Sequence, residues 1–532
     1  MHSTRILQNV PKKIKNSKGD SNAASWLSQY RLIIGLEIHA QLNASIKLFS
    51  KSKVSNDFSK PNSFVSAFDA SVPGTLPILN KEPYWKAIKA AVALNCTVNP
   101  SSSFDRKHYF YYDLPQGYQI TQQYNPLAHS GAVPFRANID DTITRDFSVN
   151  VQRIQLEQDT GKAYFHSDTA TPLVDLNRCG VALIEIVTRP DMQTPSEAVA
   201  FVKKLRSILR AIDVCNGNME EGNLRADVNV NVEGTTDNVT NTVTRTPRVE
   251  IKNLNSLKSM TAAINYEYER HAKAIRDGQA HVIHQDTLGW DVQRSQTYKM
   301  RSKEDAVDYR YMPDPNLRSV GVTEHQVQEV RNKLETLPDA VRDRLMQEYG
   351  LNARDVNVLL MVNEDLSSVG GNSNSNSDSD IVQYFEELAR LSQSPQLAVN
   401  WVIHELLGQL SQRDVAFSRH VVTVDRMHEL LSLIQTNQVT STAAKKVLGA
   451  MLDSDASATA TLDQLDLRML SQDALQDVVQ QTVDQLQDES NKAQQGNTKV
   501  VRKLIGHAMK LASGKADGSR LEAMLKEKLG LL

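Results

Sequence analysis

The segment NLRADVNVNVEG, residues 223–234, decides the fold class because apolar and polar side chains alternate strictly along it. One face of the extended strand that this alternation predicts is apolar and carries Leu224, Ala226, Val228, Val230 and Val232. The other face is polar and carries Arg225, Asp227, Asn229, Asn231 and Glu233. The segment therefore predicts a β-sheet with one buried face and one face that is free for chemistry.

Three other strand-like runs, distant in sequence, repeat this arrangement. RLIIGLEIHAQL presents Glu37 and His39, RIQLEQDTG presents Glu157 and Asp159, and RVEIKNLNS presents Glu250 and Lys252. Carboxylates are ligands for hard cations, and arginine and lysine pair with phosphate. Together the four strands predict a sheet floor that holds a divalent metal and phosphate.

A plainer interpretation is that these are solvated faces of an ordinary one-sided antiparallel sheet. For a single strand that interpretation suffices. Four strands that concentrate Glu, Asp, Asn, His and Arg, where a solvated face usually mixes in Thr and Lys, favour a functional surface.

The 532 residues predict several domains, and a hydrophobic content of 40% is ample for packed cores. Residues 29–318 combine short alternating runs with helical stretches such as SEAVAFVKKLRSILRAI, which predicts an α+β domain with a largely antiparallel sheet. Residues 319–380 predict a helical linker that ends in the low-complexity tract VGGNSNSNSDSD, and residues 381–532 predict a helical tail.

Composition excludes several classes of protein. A formal net charge of −2 confines any nucleic-acid contact to local patches, and three widely spaced cysteines argue against a zinc ribbon or a disulfide framework. There is no apolar run long enough to span a membrane, and no phosphate loop, GxGxxG, HExxH or GxSxG motif. Residues 1–28 begin with a basic, acid-free stretch, which is typical of an organelle transit peptide and equally of a solvated leader.

Seven long motifs then occur in an order that resembles GatB, a family of glutamyl/aspartyl-tRNA amidotransferase subunits. They include GLEIHAQL, FDASVPGTLPILN, FDRKHYFYYDLPQGYQITQ, VDLNRCGVALIEIVTRPDM, RADVNVNV, VEIKNLNS and MRSKEDAVDYRYMPDPNL. The resemblance implies a cradle domain of the glutamine synthetase and guanido kinase type, followed by a YqeY-like, tRNA-binding tail. It also implies that ATP and Mg²⁺ phosphorylate the side-chain carboxylate of Glu on tRNA(Gln), or Asp on tRNA(Asn), before amidation.

In that family an amidase subunit, GatA, supplies ammonia, and a small subunit, GatC, joins the complex. By resemblance, the positions that hold magnesium are Glu37, His39, Glu157, Glu221 and Glu250, with Asp159 and Asp227 as catalytic candidates in the same motifs. FDASVPGTLPILN looks like the mitochondrial branch, which together with the basic leader predicts the mitochondrial matrix and Glu-tRNA(Gln) as substrate.

Several cationic residues have two interpretations each. Arg225 and Lys252 are candidates for phosphate contact, or for ion pairs with neighbouring carboxylates. A second group lies either in a loop that closes over the tRNA end or in a salt-bridge network at the domain edge, and it consists of Arg301, Lys303 and Arg310. A third group forms either a tRNA-binding face or a solvated helix face, and it consists of Lys499, Arg502, Lys503 and Lys510.

Aromatic residues and one acid also remain open. Tyr111, Tyr112 and Tyr118 in KHYFYYDLPQGY would stack nucleobases or, as the favoured hypothesis, pack in the core. Glu185 lies in the apolar run VALIEIV, where a buried carboxylate needs a partner that the sequence does not identify. Two other functions stay open: a noncatalytic tRNA-binding subunit, and a free-standing ATP-dependent carboxylate-amine ligase.

Overall fold

The computed structural model describes residues 27, 29–55, 59–140, 142–166, 171–235, 243–302, 308–369, 377–494 and 500–531. The predicted leader therefore lies almost wholly outside the described residues, as do Lys303, Lys499 and most of the low-complexity tract. The chain divides into two compact units, one reaching Val341 and the other beginning at Arg342. This division falls within a helix, and the domain borders predicted from the sequence stay predictions.

The first unit contains the described strands. They are β1 (Arg31–Gln41), β2 (Thr97–Val98), β3 (Ser101–Ser102), β4 (Asp105–His108), β5 (Tyr118–Thr121), β6 (Ala128–Phe135), β7 (Phe147–Gln158), β8 (Lys162–His166), β9 (Thr171–Asp175), β10 (Ala182–Thr188), β11 (Leu224–Thr235), β12 (Val243–Arg245), β13 (Val249–Lys252), β14 (Asp286–Asp291), β15 (Gln296–Ser302), β16 (Met312–Pro313) and β17 (Val320–Gly321).

The large sheet has the strand order β15-β14-β13-β11-β1-β10-β7-β6-β2, and β12 pairs with β11. Its strands pair antiparallel except for β13 and β14, which are parallel. The predicted, largely antiparallel sheet is therefore confirmed. Strands β1, β10 and β11 are central, which places their side chains far from either sheet edge.

Helices of the first unit are α1 (Lys81–Ala93), α2 (Pro195–Ala211), α3 (Leu257–Arg276), α4 (Glu324–Asn332) and the start of α5 (Pro338–Tyr349). The apolar residues of α1, α2 and α3 form one core with the apolar face of the sheet, in which Ile34, Val228 and Val230 are fully buried. Thr194 and Ser256 begin α2 and α3 by accepting backbone N–H groups that a helix leaves unpaired. Because these helices cover the apolar face of the sheet, the candidate functional site lies on the polar face.

The second unit is helical, which confirms the predicted helical tail. Beyond α5 it contains α6 (Ala353–Val369), α7 (Ile381–Ser392), α8 (Pro395–Asn400), a π-helical turn (Trp401–Leu406), α9 (Leu407–Gln412), α10 (Val424–Gln435), α11 (Ser441–Met451), α12 (Ala458–Gln464), α13 (Gln472–Gln485), α14 (Gln487–Gln494), α15 (Val501–Leu511) and α16 (Gly518–Lys528). Polar residues such as Thr423, Thr440 and Ser457 cap successive helices. Within the described part of the chain, no helix is long and apolar enough to cross a bilayer.

Candidate metal and phosphate site

The centre of the polar sheet face is a two-row array of ionisable side chains. In one row Glu37 of β1 lies opposite Asp227 of β11. In the next row His39 lies between Arg225 of β11 and Glu185 of β10. The strand pairing therefore brings together residues that are nearly two hundred positions apart in the sequence.

Glu37, His39 and Glu185 form a tight cluster of potential metal ligands among the described residues. One ligand atom from each lies within 4.8 Å of the other two. Burial, reinforced by the charges of Glu157 and Glu37, raises the pKa of Glu185 to about 8. Burial, together with nearby Arg225 and Lys107, lowers the pKa of His39 to about 3 and leaves a neutral imidazole.

Glu185 is the acid whose partner the sequence does not identify. The structure places it beside two predicted ligands, and it also accepts a hydrogen bond from Gln155 Nε2 at 2.5 Å. The sequence feature that pointed to Glu185 was the occurrence of an acid within the apolar run VALIEIV. Only the pairing of β10 with β1 shows what that acid faces.

Glu157 lies at the edge of the same cluster, on β7. Its carboxylate is 3% exposed, accepts a hydrogen bond from Gln119 Nε2 at 2.5 Å, and comes within 3.8 Å of His39 Nε2. The other oxygen, Oε2, is buried without a hydrogen-bond partner among the described residues. A buried carboxylate oxygen without a partner, next to three converging ligands, fits a divalent cation that prefers oxygen.

Lys107 of β4 is a charged residue of the site that the sequence reasoning missed. Burial alone would lower its pKa, but the nearby Glu157 carboxylate, first among several acidic neighbours, raises it, so the ammonium stays charged. Its Nζ also lies 5.0 Å from the centre of the Tyr309 ring. The basic pair in FDRKHYF was the available signal, although β4 belongs to a separate small sheet.

Both predicted phosphate contacts form ion pairs, as the alternative interpretation expects. Lys252 pairs with Asp227 and, at 3.1 Å, with Glu250 Oε1, while Arg225 Nη2 contacts Asp159 Oδ2 at 2.7 Å. Burial raises the pKa of Asp227 and Lys252 counteracts that effect. These pairs leave both cations on the polar face, and their contact with phosphate stays a prediction.

The remaining two predicted metal ligands lie outside the tight cluster. Glu250 accepts a hydrogen bond from Thr287 Oγ1 at 3.0 Å. Glu221 is exposed in the turn before β11, where Asn218 Nδ2 donates to its Oε2 at 2.9 Å. The group of converging ligands does not include Glu221, so the structure does not bring Glu221 to the cluster.

A cavity of about 730 Å³ opens beside the cluster and is lined by residues of β1, β7 and β10 to β15. The acidic residues that line it are Glu37, Glu250 and Asp286. The basic residues that line it are Arg153, Arg245, Arg248 and Arg301. Four guanidinium groups around one cavity suit a polyanion, because each offers planar, forked donors for phosphate oxygens.

The predicted tRNA-end residues are distributed unevenly. Arg301 lines the cavity, and its Nε donates to Thr287 Oγ1 at 3.3 Å. Arg310 has a side chain that is 82% exposed and that pairs with Asp308.

The expectation of core packing is wrong for Tyr111 and Tyr112, which are 58% and 60% exposed.

In the second unit, α15 has the amphipathic character that its sequence predicts. Val501, Leu504 and Ala508 are buried. Arg502, Lys503 and Lys510 are exposed, and Lys503 pairs with Glu489 at 2.5 Å.

Comparison with known proteins gives this arrangement its context. A family model described as the GatB/GatE catalytic domain matches residues 32–328, which is more than half of the chain. The chain belongs to the GatB family. A second family model, described as the GatB domain, matches residues 383–529.

Relatives within the GatB family resemble the chain over nearly its whole length. The mitochondrial B subunit of glutamyl-tRNA(Gln) amidotransferase from Mycosarcoma maydis is 36% identical over 97% of this chain and 88% of its own. The protein of the same name from Cryptococcus neoformans is 39% identical over 94% of each chain. The B subunit of aspartyl/glutamyl-tRNA(Asn/Gln) amidotransferase from Pelagibacter ubique is 38% identical over 94% of this chain and 96% of its own.

Proposed function

We propose that this chain is the transamidating component that converts misacylated Glu-tRNA(Gln) to Gln-tRNA(Gln) with ATP, and that Asp-tRNA(Asn) is a second candidate substrate. The names of its relatives support this proposal. The observation that carries it is the position of a carboxylate and histidine cluster beside an arginine-lined cavity on one sheet face. A carboxylate must be phosphorylated before ammonia displaces a good leaving group, so such a site needs a metal region beside a polyphosphate region.

The metal region fits Mg²⁺ by its chemistry. Glu37, His39 and Glu185 would hold the ion, with Glu157 close enough to contribute directly or through water. Mg²⁺ there would neutralise and orient phosphate oxygens during transfer. Among the ligands predicted from the sequence, Glu250 lines the cavity and would act at its border with the metal region, whereas Glu221 lies outside the group of converging ligands.

The arginine-lined cavity would bind the polyphosphate of ATP. The candidates for phosphate contact are the four arginines that line the cavity: Arg153, Arg245, Arg248 and Arg301. Lys252, held by Asp227 and Glu250, would offset charge on the transferring group at the border of the two regions. Phosphoryl transfer depends mainly on such positioning and charge neutralisation.

The remaining assignments are proposals that rest on family membership. The fold would be the cradle of the glutamine synthetase and guanido kinase type at residues 29–318, with a linker at 319–380 and a YqeY-like tail at 381–532. Ammonia would come from the amidase GatA, with the small protein GatC in the complex. The tail would bind tRNA through Arg502, Lys503 and Lys510, and the mitochondrial relatives support placement in the mitochondrial matrix.

The test is ATP-dependent conversion of Glu-tRNA(Gln) with ammonium as donor, using the full chain purified with GatA and GatC. We expect Glu37→Gln to lower kcat by about 10²-fold or more, because it removes a carboxylate from the cluster. Glu335→Gln is a matched control, since this acid pairs with Lys89 on the surface of the same unit. Equal activity of wild type and Glu37→Gln would contradict the proposal.

The same preparation separates the two alternatives. Tight tRNA binding without conversion would support a noncatalytic tRNA-binding role. ATP-dependent formation of glutamine from free glutamate and ammonium, without tRNA, would support a free-standing ligase. The cluster of buried ionisable groups favours catalysis over both binding alone and a purely structural face.

A further inference from the structure

Helix α3 has two fully buried ionisable residues on the face that packs against the back of the sheet. Glu267 and His271 both have 0% exposure, in a stripe that otherwise contains apolar residues such as Met260, Ile264 and Ile275. Apolar residues at these two positions would fill the stripe without the cost of desolvating a charge. The residues that contact Glu267 and His271 indicate the structural role of this pair.

The Glu267 carboxylate is the centre of a hydrogen-bond network. Its Oε2 accepts from Arg270 Nη2 at 2.6 Å and lies 3.2 Å from His271 Nε2, while its Oε1 accepts from Thr297 Oγ1 at 2.6 Å. Burial alone would raise the pKa of Glu267, but hydrogen bonds from His271, Arg270 and Thr297 lower it to about 2. The carboxylate is therefore ionised at neutral pH.

An ionised Glu267 fixes the tautomer of His271. Burial lowers the pKa of His271, so the ring is neutral and its one proton lies on Nε2, facing the carboxylate. Nδ1 must then accept, and the Thr246 hydroxyl lies 2.7 Å from it, with the Val232 carbonyl oxygen at 3.3 Å as the other acceptor for the same O–H. Thr246 Oγ1 in turn accepts from the backbone N–H of Val232 on β11 at 3.0 Å.

The two threonines at the ends of this network belong to the segments that bring arginines to the cavity. Thr246 lies in the link between β12 and β13 and is flanked by Arg245 and Arg248. Thr297 lies on β15, four residues before Arg301. One buried carboxylate on the back of the sheet thus connects α3 to both arginine-bearing segments on the front.

We propose that Glu267 and His271 form a positioning network that sets the arginines of the cavity at the spacing a nucleotide polyphosphate needs. This inference rests on the proposed function. Neither residue lines the cavity, so both act through the segments that Thr246 and Thr297 anchor. Loss of either anchor lets an arginine-bearing segment shift, which weakens nucleotide binding and leaves the reacting groups in place.

Thr297 offers a matched pair of variants. Thr297→Val removes the hydroxyl that donates to Glu267 and keeps the β-branched shape, whereas Thr297→Ser keeps the hydroxyl. With the full complex, we expect Thr297→Val and His271→Phe to raise the KM for ATP about five- to tenfold with kcat within about twofold of wild type. Thr297→Ser should keep a KM close to that of wild type.

Glu197→Gln controls for loss of stability alone. Glu197 is also buried and pairs with Arg145 through both guanidinium contacts, at 2.8 and 2.9 Å, but neither residue lines the cavity. We expect this variant to lower the melting temperature and leave the KM for ATP unchanged. A KM that stays at the wild-type value in Thr297→Val and His271→Phe would overturn the positioning role.

Arg301→Ala separates failure of this inference from failure of the proposed function. If Arg301→Ala raises the KM for ATP and the network variants do not, only the positioning role fails. If Arg301→Ala also leaves the KM unchanged, the cavity is not the polyphosphate site and the inference fails with it.

Discussion

Replacing Glu185 with glutamine should stabilise the metal-free protein at alkaline pH while it abolishes function. Glu185 is 5% exposed, and burial raises the pKa of its carboxyl from an ordinary value of 4.5 to about 8. Between these two pH values the folded chain keeps a proton that the unfolded chain releases, so stability falls as pH rises. The cost is absent below pH 4.5 and complete above pH 8. At 1.36 kcal/mol for each pH unit, it reaches about 5 kcal/mol at most.

Glu185→Gln removes that cost because a neutral amide does not ionise, and its oxygen can still accept from Gln155. Calorimetry without divalent ions should therefore show the variant to be more stable than wild type at pH 8, by a few kcal/mol, and equal at pH 4. Added MgCl₂ should then stabilise wild type, by about 2.7 kcal/mol at a hundred times its Kd, and not the variant. A difference in stability that does not change with pH, or equal stabilisation of both proteins by Mg²⁺, would refute the reasoning.

Three further predictions concern other parts of the chain. Lys252→Ala should lower kcat by about 10²-fold, because it leaves Asp227 without its ion-pair partner and removes a cation beside the cavity, and steady-state kinetics with ATP and ammonium would measure this. Arg502→Glu should weaken tRNA binding and should lower the slope of log K against log salt by about the amount of one phosphate contact. Lys526→Glu on α16 should change binding less. Filter-binding titrations at several salt concentrations would measure both effects. Iodoacetamide should leave the cysteines of the native protein unmodified at neutral pH, because burial raises the pKa of each thiol to about 12. Mass spectrometry would check this for Cys96, Cys179 and Cys215.

Local patterning was sufficient for much of the fold. Strict alternation in residues 224–233 predicted the face on which each side chain of β11 lies, because the period of a strand is two. The helical stripe of α15 and the helical character of the tail were equally readable, since an amphipathic helix records its buried face every three or four residues. The sequence therefore determined which side chains share a face within each element, and its motifs determined the family.

Register and strand order were decided by the tertiary structure alone. Periodicity assigns Glu37 to a polar face, but only the pairing of β1 with β10 and β11 sets it opposite Asp227 and next to Glu185. Glu221, assigned by resemblance to the family, lies in a turn outside the cluster. The physical reason is that alternation within one strand carries no information about which strand lies beside it.

The same limit applies to charges and to buried polar groups. The sequence placed Lys252 and Arg225 on the polar face, whereas their ion pairs with Asp227 and Asp159 depend on distances across neighbouring elements. Glu267 and His271 interrupt an apolar helix stripe, yet their partners Thr297 and Thr246 come from segments that only folding brings to α3. The sequence by itself determined the kinds of groups that each face offers, and the tertiary structure decided which of them meet, because pKa values and ion pairs depend on distance and burial.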